Sequence, residues 1–124
     1  ANQTLDRRAA MTPSGKVFLV SGVTDMRKSI DGLSLIVAEQ LDMDPFSEAW
    51  FIFCNRGRDK LKILFWDTNG FWLYYRRLEK GTFKWPRPNP QGVIVISKPQ
   101  LYWLLSGLSL ENSKAHRPLN GLEV

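Results

Sequence analysis

WFIFCNRGRDKLKILFWDTNGFWLYYRRL, residues 50–78, sets three apolar runs in close order: residues 50–54, 61–66 and 71–78, separated by NRGRDK and DTNG. Short runs rich in aromatic and branched residues, bounded by Gly, Asn and Asp, read as strands. Connections this short join antiparallel neighbours, since a parallel return needs a crossover of a dozen residues or more. Asn69-Gly70 is the kind of dipeptide that supplies positive φ in a tight hairpin turn, and residues 55–60, with Gly57, form a longer hairpin loop. An antiparallel meander is expected. In the middle run Leu61, Ile63 and Phe65 point one way while Lys62, Leu64 and Trp66 point the other. Neither face is wholly polar, so one is expected to pack on a helix and the other to be aromatic and partly basic.

Toward the N-terminus, KVFLV (residues 16–20) reads as a strand. Thr24 or Asp25 is expected to cap a helix running to about Leu41, because Met26, Ile30, Leu33, Val37 and Leu41 recur at spacings of three and four. Gly32 costs that helix about 1 kcal/mol relative to Ala and leaves room for a bend or a late start. Pro45, in DMDPFS, ends it. Toward the C-terminus, GTFKW (residues 81–85) is expected as a further short strand, PRPNP (86–90) as a loop and VIVI (93–96) as a strand. Ser97 then caps a helix with Pro99 in its first turn and a stripe of Leu101, Leu104, Leu105 and Leu108, ending near Gly107. The expected fold class is α+β, one domain over residues 11–110. Its antiparallel meander has about four to six short strands, one helix after the first strand and one C-terminal helix, both helices covering one sheet face. Residues 1–10 (ANQTLDRRAA) read as a leader or expression scar before Met11, a natural start, and residues 111–124 as a weakly ordered tail.

The chain has 124 residues, and its 17 Lys and Arg against 12 Asp and Glu give a formal charge of +5. That excess favours polyanionic partners, nucleic acid first and an anionic membrane second. No apolar run approaches the roughly 18 residues of a membrane helix. Cys54 is the single cysteine, so no intrachain disulfide exists and a reducing, cytoplasmic setting fits.

Catalysis has little to work with. The one histidine, His116, lies in the expected tail and Cys54 in a strand, so neither a nucleophile and base pair nor a zinc set can be assembled. A Mg²⁺ nuclease needs clustered carboxylates, for which Asp25, Asp59, Asp67 and Glu79 are the candidates. Asp67, beside Asn69-Gly70, is better explained as a turn residue. No glycine-rich phosphate loop is present. A non-enzymatic protein without cofactor or metal is expected.

The basic residues are more informative. Arg56, Arg58, Lys60, Lys62, Arg76, Arg77, Lys80, Lys84 and Arg87 stand against Asp59, Asp67 and Glu79, so the whole positive excess belongs to the hairpin region. Trp66, Phe71, Trp72, Tyr74, Tyr75, Phe83 and Trp85 are interleaved with these charges. That pattern fits a polyanion-binding face with salt-dependent phosphate contacts, on which an exposed aromatic ring can stack an unpaired base. A second cluster, Arg27 and Lys28, sits where a helix start disfavours cations, so either Asp25 compensates them or a phosphate does.

Taken together, GVTDMRKSIDGL (residues 22–33), DPFSEAWFIFCNRGRDKLKILFWDTNGFWLYYRRLEKGTFKWP (44–86) and LYWLLSGL (101–108) closely resemble one family. It is the TnpB, or Orf2-like, accessory protein of the IS-sixty-six family of bacterial insertion sequences, distinct from the RNA-guided nuclease that shares the TnpB name. The resemblance implies a small non-catalytic protein encoded beside a DDE transposase and needed for transposition. DNA, the transposase and a co-encoded accessory protein are the implied partners. The matching basic positions are Arg27, Lys28, Arg56, Arg58, Lys60, Lys62, Arg76, Arg77, Lys80 and Lys84. Ser29-Ile30 stands where a Gly-Phe pair is common, and PRPNPQGV follows no firm pattern. Binding of transposon-end or target DNA through the hairpin face is the expected role, without a helix-turn-helix reader. Its rivals are an adaptor that grips the transposase through exposed aromatics and a metal-dependent nuclease.

Overall fold

The computed structural model describes residues 15–106. In chain order the elements are β1 (Val17–Val20), α1 (Ile30–Leu35) running into a π-helical turn (Ile36–Gln40), β2 (Trp50–Cys54), β3 (Lys60–Asp67), β4 (Gly70–Arg77), β5 (Val93–Ile96) and α2 (Lys98–Leu105). The expected leader, the start at Met11, Leu108, His116 and the tail lie outside the described residues.

The meander read from residues 50–78 is present: β2 pairs antiparallel with β3, and β3 with β4, in a single five-stranded sheet of order β4-β3-β2-β1-β5. The tight turn keeps Asp67 opposite Gly70, but positive φ falls on Thr68 rather than on Asn69 or Gly70. The sheet is mixed, however, not wholly antiparallel. β1 lies parallel to β2, with Val17 beside Trp50 and Leu19 beside Ile52, because the chain between them crosses over through a helix and returns in the same direction. β5 closes the other side of β1, antiparallel, with Val20 opposite Val93.

The two helices cover opposite faces, contrary to the expectation of one covered face. Leu33, Ile36 and Val37 pack with Val20, Phe51, Phe53 and Leu64 on one side. Leu101 and Leu104 pack with Val17, Leu19, Trp50, Ile52, Ile63 and Phe65 on the other. Alternation along each strand sends neighbours to opposite sides, so both clusters are served by the same strands. β2 is accordingly buried at every position, the signature of a strand covered on both faces.

Two further expectations fail locally. The first helix begins at Ile30, not at Thr24 or Asp25: the Asp25 carboxylate accepts from the amide of Arg27, two residues on, which makes a turn, and the amide of buried Thr24 donates to the carbonyl of Cys54. The helix closes through its π turn, with the Leu41 amide donating to Ile36, and Asp42 follows in the left-handed region at φ 54°. Residues 81–85 form no strand. Fully buried Phe83 plugs the α2 side of the core instead, and its amide donates to the Arg58 carbonyl at 2.6 Å. The second helix begins as read, with a reciprocal cap between Ser97 and Gln100 and Pro99 in its first turn.

Candidate nucleic-acid interface

On the α1 side of the sheet, the short helix leaves the outer ends of β3 and β4 uncovered, and two loops rise around them. The first is the connection from β2 to β3. Its geometry is set by Asn55, whose amide oxygen accepts from the backbone N–H groups of Asp59 and Lys60, both at 3.1 Å, while its NH₂ donates to the Asp59 carboxylate at 2.8 Å. That bond is the main reason the Asp59 carboxyl titrates below its usual range. Arg58 takes the left-handed conformation at φ 59° to complete the loop. Arg56 and Arg58 are left exposed, neither in an ion pair with any described residue.

The second loop is the turn of residues 24–29. Asp25 accepts the Arg27 guanidinium on both carboxylate oxygens, at 2.7 to 3.1 Å. Arg27 therefore holds the Asp25 carboxyl down at about 2, and Asp25 in turn raises the guanidinium. Of the two partners considered for Arg27, the structure supplies Asp25. The turn is propped from beneath by Lys62, whose ammonium donates to the Met26 carbonyl at 2.8 Å and the Lys28 carbonyl at 2.7 Å. Register does the rest: the tight β3–β4 turn places Tyr75 opposite Lys62 and Arg77 opposite Lys60.

Between these loops and the hairpin lies an open groove of about 1120 Å³. Among the described residues Arg27, Arg56, Lys60 and Lys62 line it, with Asp25 as the single acid, and Val23, Met26, Leu73 and Tyr75 supply its apolar parts. Four of the ten basic positions singled out in the sequence thus meet in one place. The other six do not line it. Arg76 points to the α2 side, where its Nε donates to the Leu105 carbonyl at 3.0 Å, near the end of α2. Arg77 is paired with Glu79 at 2.9 Å, which raises its pKa. Lys28, Arg58, Lys80 and Lys84 are exposed outside the lining. Val23, Asn55 and Leu73 were missed, and Tyr75 was named only as one of seven interleaved rings; for Leu73 and Tyr75 the signal was the hairpin register, since a turn closing Asp67 on Gly70 fixes both partners by counting back.

The remaining reactive groups do not gather. Cys54 is fully buried and its thiol is pushed up to about 12 by desolvation. Among the described residues no group of three or more His, Cys, Asp or Glu is placed to hold a metal ion. No helix among them is long and apolar enough to cross a membrane.

Fold and site together define a small single-domain α+β protein that carries a solvent-open, cationic, partly apolar groove on one end of a mixed sheet. The family described as IS66 Orf2 like protein matches residues 15–115, and the chain belongs to it. Membership makes it an insertion-sequence-associated protein of an accessory, not a known catalytic, family, as the motifs in residues 22–33, 44–86 and 101–108 implied. Two proteins of Sinorhizobium fredii (strain NBRC 101917 / NGR234), uncharacterized proteins y4hO and y4jC, are similar to it. One, y4hO, is 40% identical over 101 residues, covering 79% of this chain and 87% of the relative. The other, y4jC, is 29% identical over 93 residues, covering 75% and 79% respectively. No solved structure matches the chain.

Proposed function

We propose that this protein assists insertion-sequence transposition by binding DNA, holding phosphates in the groove between the 24–29 turn and the β3–β4 hairpin, with no chemistry of its own. The observation that carries the reading is the convergence of Arg27, Arg56, Lys60 and Lys62 on one open concavity with, among the described residues, only Asp25 in its lining to oppose them. Not all four act alike. Arg27 is shared with Asp25 and Lys62 is committed to two carbonyls, so Arg56 and Lys60, with Arg58 at the rim, are the phosphate ligands. Lys60 has only a loose partner, Asp59 at 3.6 Å, and exchange of that contact for a phosphate costs little.

The test is binding of the purified chain to labelled transposon-end DNA, scrambled duplex and single strands between about 50 and 200 mM salt. Binding is expected to fall steeply with salt, and the double change Arg56→Glu, Lys60→Glu to lower both affinity and slope. Absence of binding to every DNA at the lowest salt overturns the reading. A second reading, an adaptor for the transposase, is favoured by the exposed rings of Phe46, Trp72 and Tyr102, which lie outside the groove. It is recognised by co-purification with the transposase that survives Arg56→Glu, Lys60→Glu.

A further inference from the structure

We infer that the groove takes unpaired nucleotides, with a base stacked on Tyr75, rather than the closed backbone of a duplex. This rests on the DNA-binding reading and narrows it.

Tyr75, which lines the groove from β4, is 53% exposed. The other exposed rings of the hairpin region are engaged. Phe46 packs edge-on against Trp66 at 5.1 Å, and Trp72 stacks over Phe65 at 6.5 Å while donating its indole N–H to Asp67. Tyr75 makes no ring pair among the described residues. Tyr102, which also makes none, lies on the α2 side beside Arg76, whose guanidinium already serves the Leu105 carbonyl.

Val23, which also lines the groove, is 56% exposed, so the concavity offers apolar surface beside its cations. A duplex presents phosphates and sugar edges to such a concavity and leaves its apolar surface unrewarded. An unpaired strand presents base faces as well as phosphates, which matches both components. The position on the sheet agrees. Among the described residues β4 is the outermost strand, and none of them pairs beyond it to block a strand that enters past Arg56 and leaves across Tyr75. The groove is also built before any ligand arrives, because Asn55 fixes one wall and Lys62 the other.

The experiment compares the wild-type chain on three ligands of equal length at one salt concentration: oligothymidylate, the same sugar-phosphate backbone without bases, and a duplex. Oligothymidylate is expected to bind best, and removal of its bases to weaken binding roughly 5- to 150-fold, the equivalent of one stacked base. Tyr75→Ala should reproduce that loss on oligothymidylate and change nothing on the abasic strand, while Tyr75→Phe restores wild-type affinity. Equal binding of oligothymidylate and the abasic strand, or a duplex that binds as tightly as oligothymidylate, overturns the inference and leaves the phosphate groove standing. Failure of all three ligands to bind overturns both. The abasic comparison uses the unaltered protein, so the outcome does not depend on the folding of any variant.

Discussion

Lys62 is where stability and binding come apart. Replacing it with Met keeps the length and apolar stem of the side chain and removes the ammonium, and with it the bonds to the Met26 and Lys28 carbonyls at 2.8 and 2.7 Å. A hydrogen bond from a charged donor contributes about 1.5–3 kcal/mol. The contact to Lys28 is exposed, so water replaces most of it, while the contact to Met26 is part-buried and is lost more fully. The net cost of Lys62→Met is therefore about 1.5–3 kcal/mol, the value of one such bond. In a domain of this size that lowers Tm on the order of 10 °C, from about 4–8 °C per kcal/mol. Arg56→Met and Lys60→Met, which break no comparable bond, stay within about 0.5 kcal/mol of the parent. The assay is thermal melting of the three variants side by side, with amide exchange over residues 24–29. Lys62→Met should loosen that segment and weaken DNA binding through disorder of the groove wall; Arg56→Met should weaken binding and reduce the salt slope by about one. A Lys62→Met protein that melts with the parent, keeps its 24–29 amides protected and loses one unit of slope would refute the strut and make Lys62 an ordinary phosphate ligand.

Three other outcomes follow from the same contacts. Phe83→Ala, which empties a fully buried site reached from a segment without strand or helix, should cost about 3–5 kcal/mol by urea unfolding; a loss under about 1 kcal/mol would show that residues 78–85 do not complete the core. Ser97→Ala removes the acceptor for the Gln100 amide and should lower stability by about 1 kcal/mol, with Gln100→Ala less than additive on top of it because the two share one reciprocal cap. The Asp25 carboxyl is depressed from 3.8 to about 2 by Arg27, so its contribution is present above pH 4 and lost as the pH falls toward 2; an acid titration of stability in which Asp25→Asn matches the parent across that window would contradict the pairing.

The local parts of the fold were legible because short-range chemistry decides them. Residues 50–78 fold as read, since Asp67 to Gly70 closes a tight turn and Asn55 to Lys60 a longer one, and the second helix follows its cap. What failed in the sheet was non-local. A strand, a helix and a strand in succession call for a parallel pair, and VFLV and WFIFC are unbroken apolar runs of the kind covered on both faces. Taken together these point to a mixed sheet with helices on both sides. Weighting the hairpins alone gave an antiparallel one. The start of α1 was less accessible: the Asp25 carboxylate accepts the Arg27 amide and guanidinium, and the Lys28 amide returns to the Asp25 carbonyl, so the residues that read as a cap close a turn and the helix starts later, at Ile30.

The site shows the same division between what composition locates and what pairing decides. Nine bases against three acids concentrate the charge in residues 56–87, but a count treats every cation as free. Alternation alone separates Arg76 from Arg77, because adjacent residues of a strand face opposite ways and cannot both meet one ligand in a groove on one side of the sheet. The structure completes that separation: Arg76 serves the end of α2, Arg77 serves Glu79, and neither lines the groove. Reversing both charges would therefore mix damage to α2 with a change at the rim and could not report on phosphate contact. The residues that can report on it are Arg56 and Lys60, and the reason is the absence of strong partners rather than the number of charges around them. In a basic surface of this kind a cation is available to a ligand in proportion to what the fold leaves undone for it, and only the three-dimensional pairing shows how much that is.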